Sequence, residues 1–151
     1  MGFLKGLVNE ATKTIRESSA DAKLEMDFKE RNVPCQRLGD FNNNKGFDIH
    51  LTQEGLDCWI VNDNGVTTFI VYGIRAYRTD DLTLELLAAI NDYNSSFFGR
   101  IMCFLSSVQG FYSLNFVITT PSSEIGNYCD ALIGAINGIK EDEDLHNRGL
   151  L

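Results

Sequence analysis

Apolar residues recur along this chain with two different periods, and the switches between them mark out the elements. From residue 3 to 17, Phe3, Leu4, Leu7, Val8, Ala11 and Ile15 fall at three- and four-residue steps, with Lys5, Glu10, Lys13, Arg16 and Glu17 between them. That is the rhythm of an amphipathic helix, and Ser18-Ser19 interrupts it. Residues 21 to 30 read two ways. Leu24 and Phe28 lie one helical turn apart, but Leu24, Met26 and Phe28 alternate with charged residues as a strand would. Pro34 limits a helix in either case, because the residue before a proline is pushed out of helical geometry. Residues 39 to 46, GDFNNNKG, have the composition of a loop.

Beyond the loop the period becomes two. Phe47, Ile49 and Leu51 alternate with Asp48, His50 and Thr52, as in a strand buried on one face. Glu54-Gly55 predicts a turn into a strand over Leu56–Val61. Asn64-Gly65 suits a two-residue hairpin, since both residues tolerate positive φ, and a third strand follows over 66–74. Residues 46 to 75 therefore predict a three-stranded antiparallel meander. Thr79 or Asp80 is placed to cap the next helix, whose stripe is Leu82, Leu86, Ala89, Ile90 and Tyr93, widened by Leu87, and which stops near Asn94. Two more strands follow, 100–108 and 111–120, turning at Gln109-Gly110. Thr120-Pro121 reads as a helix entry, with proline at a position that needs no N–H. Ile125, Cys129, Leu132, Ile133, Ile136 and Ile139 make the last stripe. Gly134 and Gly138 would thin one side of that helix for close packing, and the tail EDEDLHNRGLL is polar enough to predict fraying.

The fold class expected is α+β: one domain with a single antiparallel sheet, in the order helix, three strands, helix, two strands, helix, plus an N-terminal helical extension. The divisions are 1–20 for the amphipathic extension, 21–140 for the domain and 141–151 for an acidic tail. No internal repeat or linker splits the chain. A chain of 151 residues can bury roughly 70% of its unfolded surface, which is enough for one core.

Charge and chemistry narrow the function. With 21 acidic against 13 basic side chains the net charge is −8. Such a surface repels phosphate, and no basic cluster offsets it, so nucleic acid is not an expected partner. Cys35, Cys58, Cys103 and Cys129 are dispersed, with no CxxC pair, and predict reduced thiols rather than a disulfide framework or a zinc site. There is no signal-peptide pattern and no apolar run of about 18 residues, so the expected location is the cytoplasm. His50 and His146 are the only histidines. No HExxH, phosphate loop, GxGxxG or nucleophile elbow accompanies them. Asp80-Asp81 suits capping and the helix dipole better than paired catalytic carboxylates. Asn94-Ser95-Ser96 matches a glycosylation acceptor that an intracellular chain leaves unused. No catalytic residue, cofactor or metal ligand is expected.

Three apolar features are candidate partner or dimer contacts. The first is Trp59 with its strand, to be weighed against a core role. The second is Phe97-Phe98, which a short turn can hardly direct inward together. The third is the N-terminal stripe Phe3, Leu4, Leu7 and Val8, which must fold back, pair with another subunit or lie on a membrane. Only Lys5, Lys13 and Arg16 would face lipid, so the membrane is disfavoured.

The element order, and above all LTLELLAAINDYNSSFFGRIMCFL, resembles the YbjN-like family of bacterial sensory transduction regulators, which has the type III secretion chaperone-like fold. In that family a leucine-rich helix ends in an Asn-x-x-Asn phrase before a strand. Here the phrase is Asn91-Asp92-Tyr93-Asn94, with tyrosine where tryptophan is common. The resemblance covers residues 21 to 140. It implies a non-enzymatic protein that binds other proteins. The function expected from the whole sequence is a chaperone-like or regulatory module, itself a homodimer, that recognises a partner protein segment through apolar surface on the sheet or beside the N-terminal helix. Two rivals stand beside it: an acidic immunity protein that neutralises a basic toxin, and an enzyme with an unconventional site.

Overall fold

A computed structural model describes residues 2–38, 46–96 and 100–151; the side chains of 2–8 and 13–17 lie outside that description. Helix α1 (Gly2–Glu30) is continuous, so the break expected at Ser18-Ser19 is absent. The strand alternative for residues 21 to 30 fails on burial. Leu24 and Phe28 are fully buried while Met26 is 61% exposed, which is helical and not alternating geometry. The helix ends before Pro34 takes effect. Asn32 adopts positive φ, and the amides of Asn32 and Val33 turn back onto the carbonyls of Lys29 and Phe28. This is the Schellman arrangement that satisfies the last carbonyls of a helix.

The sheet has six strands, all antiparallel: β1 (Cys35–Leu38), β2 (Gly46–Leu51), β3 (Leu56–Asp63), β4 (Val66–Arg78), β5 (Ile101–Val108) and β6 (Phe111–Pro121). Their spatial order is β1-β2-β3-β4-β6-β5. The α+β class and the single antiparallel sheet stand, and four strands rather than three precede the central helix. The extra one, β1, is four residues long and carries Gln36 and Arg37 in its middle, too short and polar for a periodic signal. Asn64 and Gly65 both take positive φ in the β3–β4 hairpin, and so do Gln109 and Gly110 between β5 and β6. Strand β4 continues four residues past the expected end, through an irregularity between Val71 and Arg75 where Gly73 has φ of 76°.

The remaining helices are α2 (Leu84–Ser96), α3 (Tyr128–Lys140) and α4 (Glu143–Asn147). Two expected helix starts are corrected. Thr79–Asp81 is a separate 3-10 turn, and α2 is entered from Thr83, whose hydroxyl accepts the Leu86 amide. Pro121 does not open α3; it ends β6 opposite Val66 and leads into a single 3-10 turn, Ser122–Glu124, and Asn127 caps α3 by accepting the Asp130 amide. Gly134 and Gly138 face open space, so the expected close packing on that side of α3 is not there. The tail is folded. Asp142 caps α4, Gly149 reverses the chain, and Leu145 and Leu150 are fully buried.

The buried apolar side chains form two clusters on one face of the sheet. Leu24 and Phe28 of α1 and Tyr128, Cys129, Leu132 and Ile136 of α3 cover β2, β3 and the first half of β4. Tyr93 of α2, Ile139 of α3, Leu145 of α4 and Leu150 after it cover β5, β6 and the end of β4. Burying each large side chain contributes on the order of 1.5–3 kcal/mol before ordering costs.

Candidate functional site

Strand pleating sends alternate residues to opposite faces, so helices confined to one face leave the other without a layer. On the covered side, Ile49, Cys58, Val71, Phe116 and Cys103 form one row across five strands. One residue along, Asp48, Trp59, Ile70, Val117 and Met102 lie directly opposite one another in the same register and point away from the helices. Among the described residues, every buried apolar helix side chain belongs to the clusters on the first face. Among the described residues, no helix packs on the outer face.

That face is apolar. Trp59, Val61, Ile70, Tyr72, Phe104 and Val117 are half-buried there. Met102 (46% exposed), Val66, Val108 (55%) and Phe111 (50%) also follow the outward alternation. Strands β5 and β6 contain no charged residue at all. In β4 no charged side chain points outward before Arg78. Charged side chains and His50 occupy the margins. Asp48, His50 and Asp57 lie on β2 and β3, with His50 Nδ1 2.7 Å from an Asp57 oxygen, and Arg78 and Arg100 lie at the opposite side.

Trp59, weighed from sequence between core and interface, sits on this outer face with its indole over Gly46. A Cβ at Gly46 would overlap the ring, so the close approach requires glycine there. The indole Nε1 is shielded from solvent and finds no hydrogen-bond partner among the described residues, although buried polar groups are nearly always paired. Phe97 and Phe98 lie outside the described residues, as do the side chains of Phe3, Leu4, Leu7 and Val8; the backbone of the latter four is the first turns of α1.

Two asparagines hold this surface in shape. The Asn94 carboxamide accepts the Cys103 amide at 2.8 Å and donates to the Cys103 carbonyl at 2.9 Å. It thus pairs with the rim of β5 as a neighbouring strand would and ties the end of α2 to the sheet. Asn115 is fully buried beneath the β4 irregularity. Its oxygen accepts from the Gly73 amide and the Ser113 hydroxyl, and its nitrogen donates to Ser106 and to the Ser113 carbonyl. The phrase containing Asn94 stood out in the sequence. Asn115 gave no signal, because an outward-facing polar residue in a strand is ordinary.

A polar cavity of about 500 Å³ opens between α1, the β3–β4 hairpin and α3, lined by Lys23, Asn62, Ser122 and Tyr128 among others. Its polar atoms bind one another. Thr67 Oγ1 contacts Asn62, Ser122 and Tyr128, Asn62 donates to Asp21, and Lys23 donates to Asp27 and to the Gly126 carbonyl. Asp27 also accepts the Tyr128 amide at 2.8 Å, stapling α1 to the start of α3. This network is a brace. The four cysteines are free thiols. Burial pushes Cys58 up to about 12 and Cys35 and Cys103 up to about 11, the reverse of what a nucleophilic thiol needs. Among the described residues, no three of His, Cys, Asp and Glu gather into a metal-binding group, and no helix is long and apolar enough to cross a membrane.

Comparison with known proteins adds little to this geometry. No family model matches the chain, and no curated protein matches it. Among solved structures it is similar to the crystal structure of YbjN from E. coli, at 14% identity over 76% of this chain and 79% of that one, with a TM-score of 0.47. A likeness of that size transfers no function, so the reading of the outer face rests on this chain's own residues.

Proposed function

We propose that the protein is a non-enzymatic binding module that recognises another protein surface with the outer face of its sheet. The observation that carries this reading is the row Trp59–Ile70–Val117–Met102, set in an uncharged surface on a chain of net charge −8. Contiguous apolar patches beyond a few hundred Å² mark interaction sites on soluble proteins, and a tryptophan near the middle of one is a favoured anchor. The resemblance of the Asn91–Asn94 phrase to a family of regulators agrees with such a role.

The test is photo-cross-linking in the host cell, with the reactive residue placed at Met102 or Phe111 on the sheet face and at Leu87 on α2 as a control. Protein adducts from the two sheet positions and none from Leu87 support the proposal. Adducts from Leu87 alone would refute it.

A further inference from the structure

We infer that the partner on the outer face is a second copy of this chain, apposed face to face about a twofold axis running along β4. The inference rests on the reading of that face as a protein-binding surface and commits it to one occupant.

Three features point to a copy. The first is charge. Two chains of −8 repel through most of their surface, and β5 and β6 carry no charged side chain. Only uncharged side chains of β5 and β6 face the second copy at neutral pH, so apposition there keeps like charges apart. The second is complementarity at the margins. An axis along β4 lies in the interface and exchanges the two sides of the sheet, so β2 of one copy lies over β5 of the other. The row then runs against itself: Trp59 meets Val117, and Asp48 meets Met102. Arg100, two positions before Met102 along the same strand line and exposed, is within side-chain reach of that Asp48. An axis across the strands along this row would instead set Asp48 on Asp48.

The third feature is size and shape. At a strand spacing of about 4.8 Å and a rise of about 3.3 Å per residue, the face from β2 to β5 along β6 measures roughly 19 by 33 Å. Two copies would cover roughly 1,200 Å² in projection, above the about 1,000 Å² that a specific interface needs. Sheets of the same hand of twist also stack with strands nearly aligned, and two copies share their twist by construction.

Met102 provides the test, because it is half-exposed and either charge at that position leaves the fold intact. Met102→Glu sets a carboxylate against Asp48 of the second copy, whereas Met102→Lys sets an ammonium there. Sedimentation equilibrium on the full chain should show a wild-type dimer with a Kd on the order of 10 µM or tighter. Met102→Glu should weaken it at least about tenfold, and Met102→Lys should stay within about threefold of wild type, since like-charge contacts are what an interface excludes. Circular dichroism confirms that both variants fold. A wild-type chain that stays monomeric at on the order of 100 µM overturns the inference. So does a dimer that both variants weaken equally, or that neither affects. Failure here is separable from failure of the binding reading: a monomer whose Met102 and Phe111 positions still cross-link a different protein has lost the second copy and kept the surface.

Discussion

Asn94 shows how one side chain can set the limits of a surface. Its carboxamide reproduces both hydrogen bonds that a further strand would make to Cys103, so that point of the outer strand is closed to pairing. Asn94→Ala leaves a part-buried N–H and C=O without partners, and each such loss costs about 1–3 kcal/mol. A fall of about 2–4 kcal/mol in urea-unfolding stability is expected, with Asn94→Asp intermediate because it keeps only the acceptor. Gly46 and Trp59 make a coupled pair of the same kind. Gly46→Ala should destabilise by about 1–3 kcal/mol through overpacking against the indole, and Trp59→Val should abolish that penalty. If the two changes are additive in a double-mutant cycle, the indole does not lie on Gly46. The buried thiols carry a pH dependence. Cys58 is raised from 9.0 to about 12 in the folded state, so between those values the unfolded chain releases a proton that the folded chain keeps. Its contribution is fully present below about pH 9 and is lost as pH rises toward 12. The urea midpoint should decline between pH 8.5 and 10.5 more steeply in wild type than in Cys58→Ala.

At the scale of elements, legibility followed the strength of periodicity and turn chemistry. Asn64-Gly65 and Gln109-Gly110 were readable because positive φ has few sequence solutions. Strands β2 to β6 were readable because a sheet covered on one face alternates. Strand β1 was not, since four residues with two polar ones in the middle carry no period. The helix starts were misplaced because Thr79 and Thr120-Pro121 have the right chemistry at the wrong positions; the capping residues are Thr83 and Asn127. The tail was misread because EDED looks solvated. Its signal lay in Asp142 as a cap, Gly149 as a reversal, and Leu145 and Leu150 meeting across it. The Leu150 carbonyl then accepts the Tyr77 hydroxyl at 2.8 Å. Leu145→Ala should therefore cost about 2–5 kcal/mol, as for a buried leucine. A frayed tail would show no change in melting temperature.

For the whole molecule, one covered and one bare sheet face is the feature that periodicity alone could not reveal. Alternation says that a strand has two unlike faces, but not whether a second layer lies on the less polar one. Trp59 stayed ambiguous in the sequence for that reason, and the packing decides it: among the described residues, the buried apolar side chains of the four helices lie in the two clusters on the same side. The direct measurement of the central claim is carbene footprinting of the full chain, dilute and alone, against the same chain in a concentrated extract of its host. Met102, Phe104, Val108 and Phe111 should label strongly in the first sample and lose labelling in the second, while Leu84 and Leu87 on α2 keep theirs. Protection that falls on Leu84 and Leu87, with the outer sheet face still labelled, would contradict it.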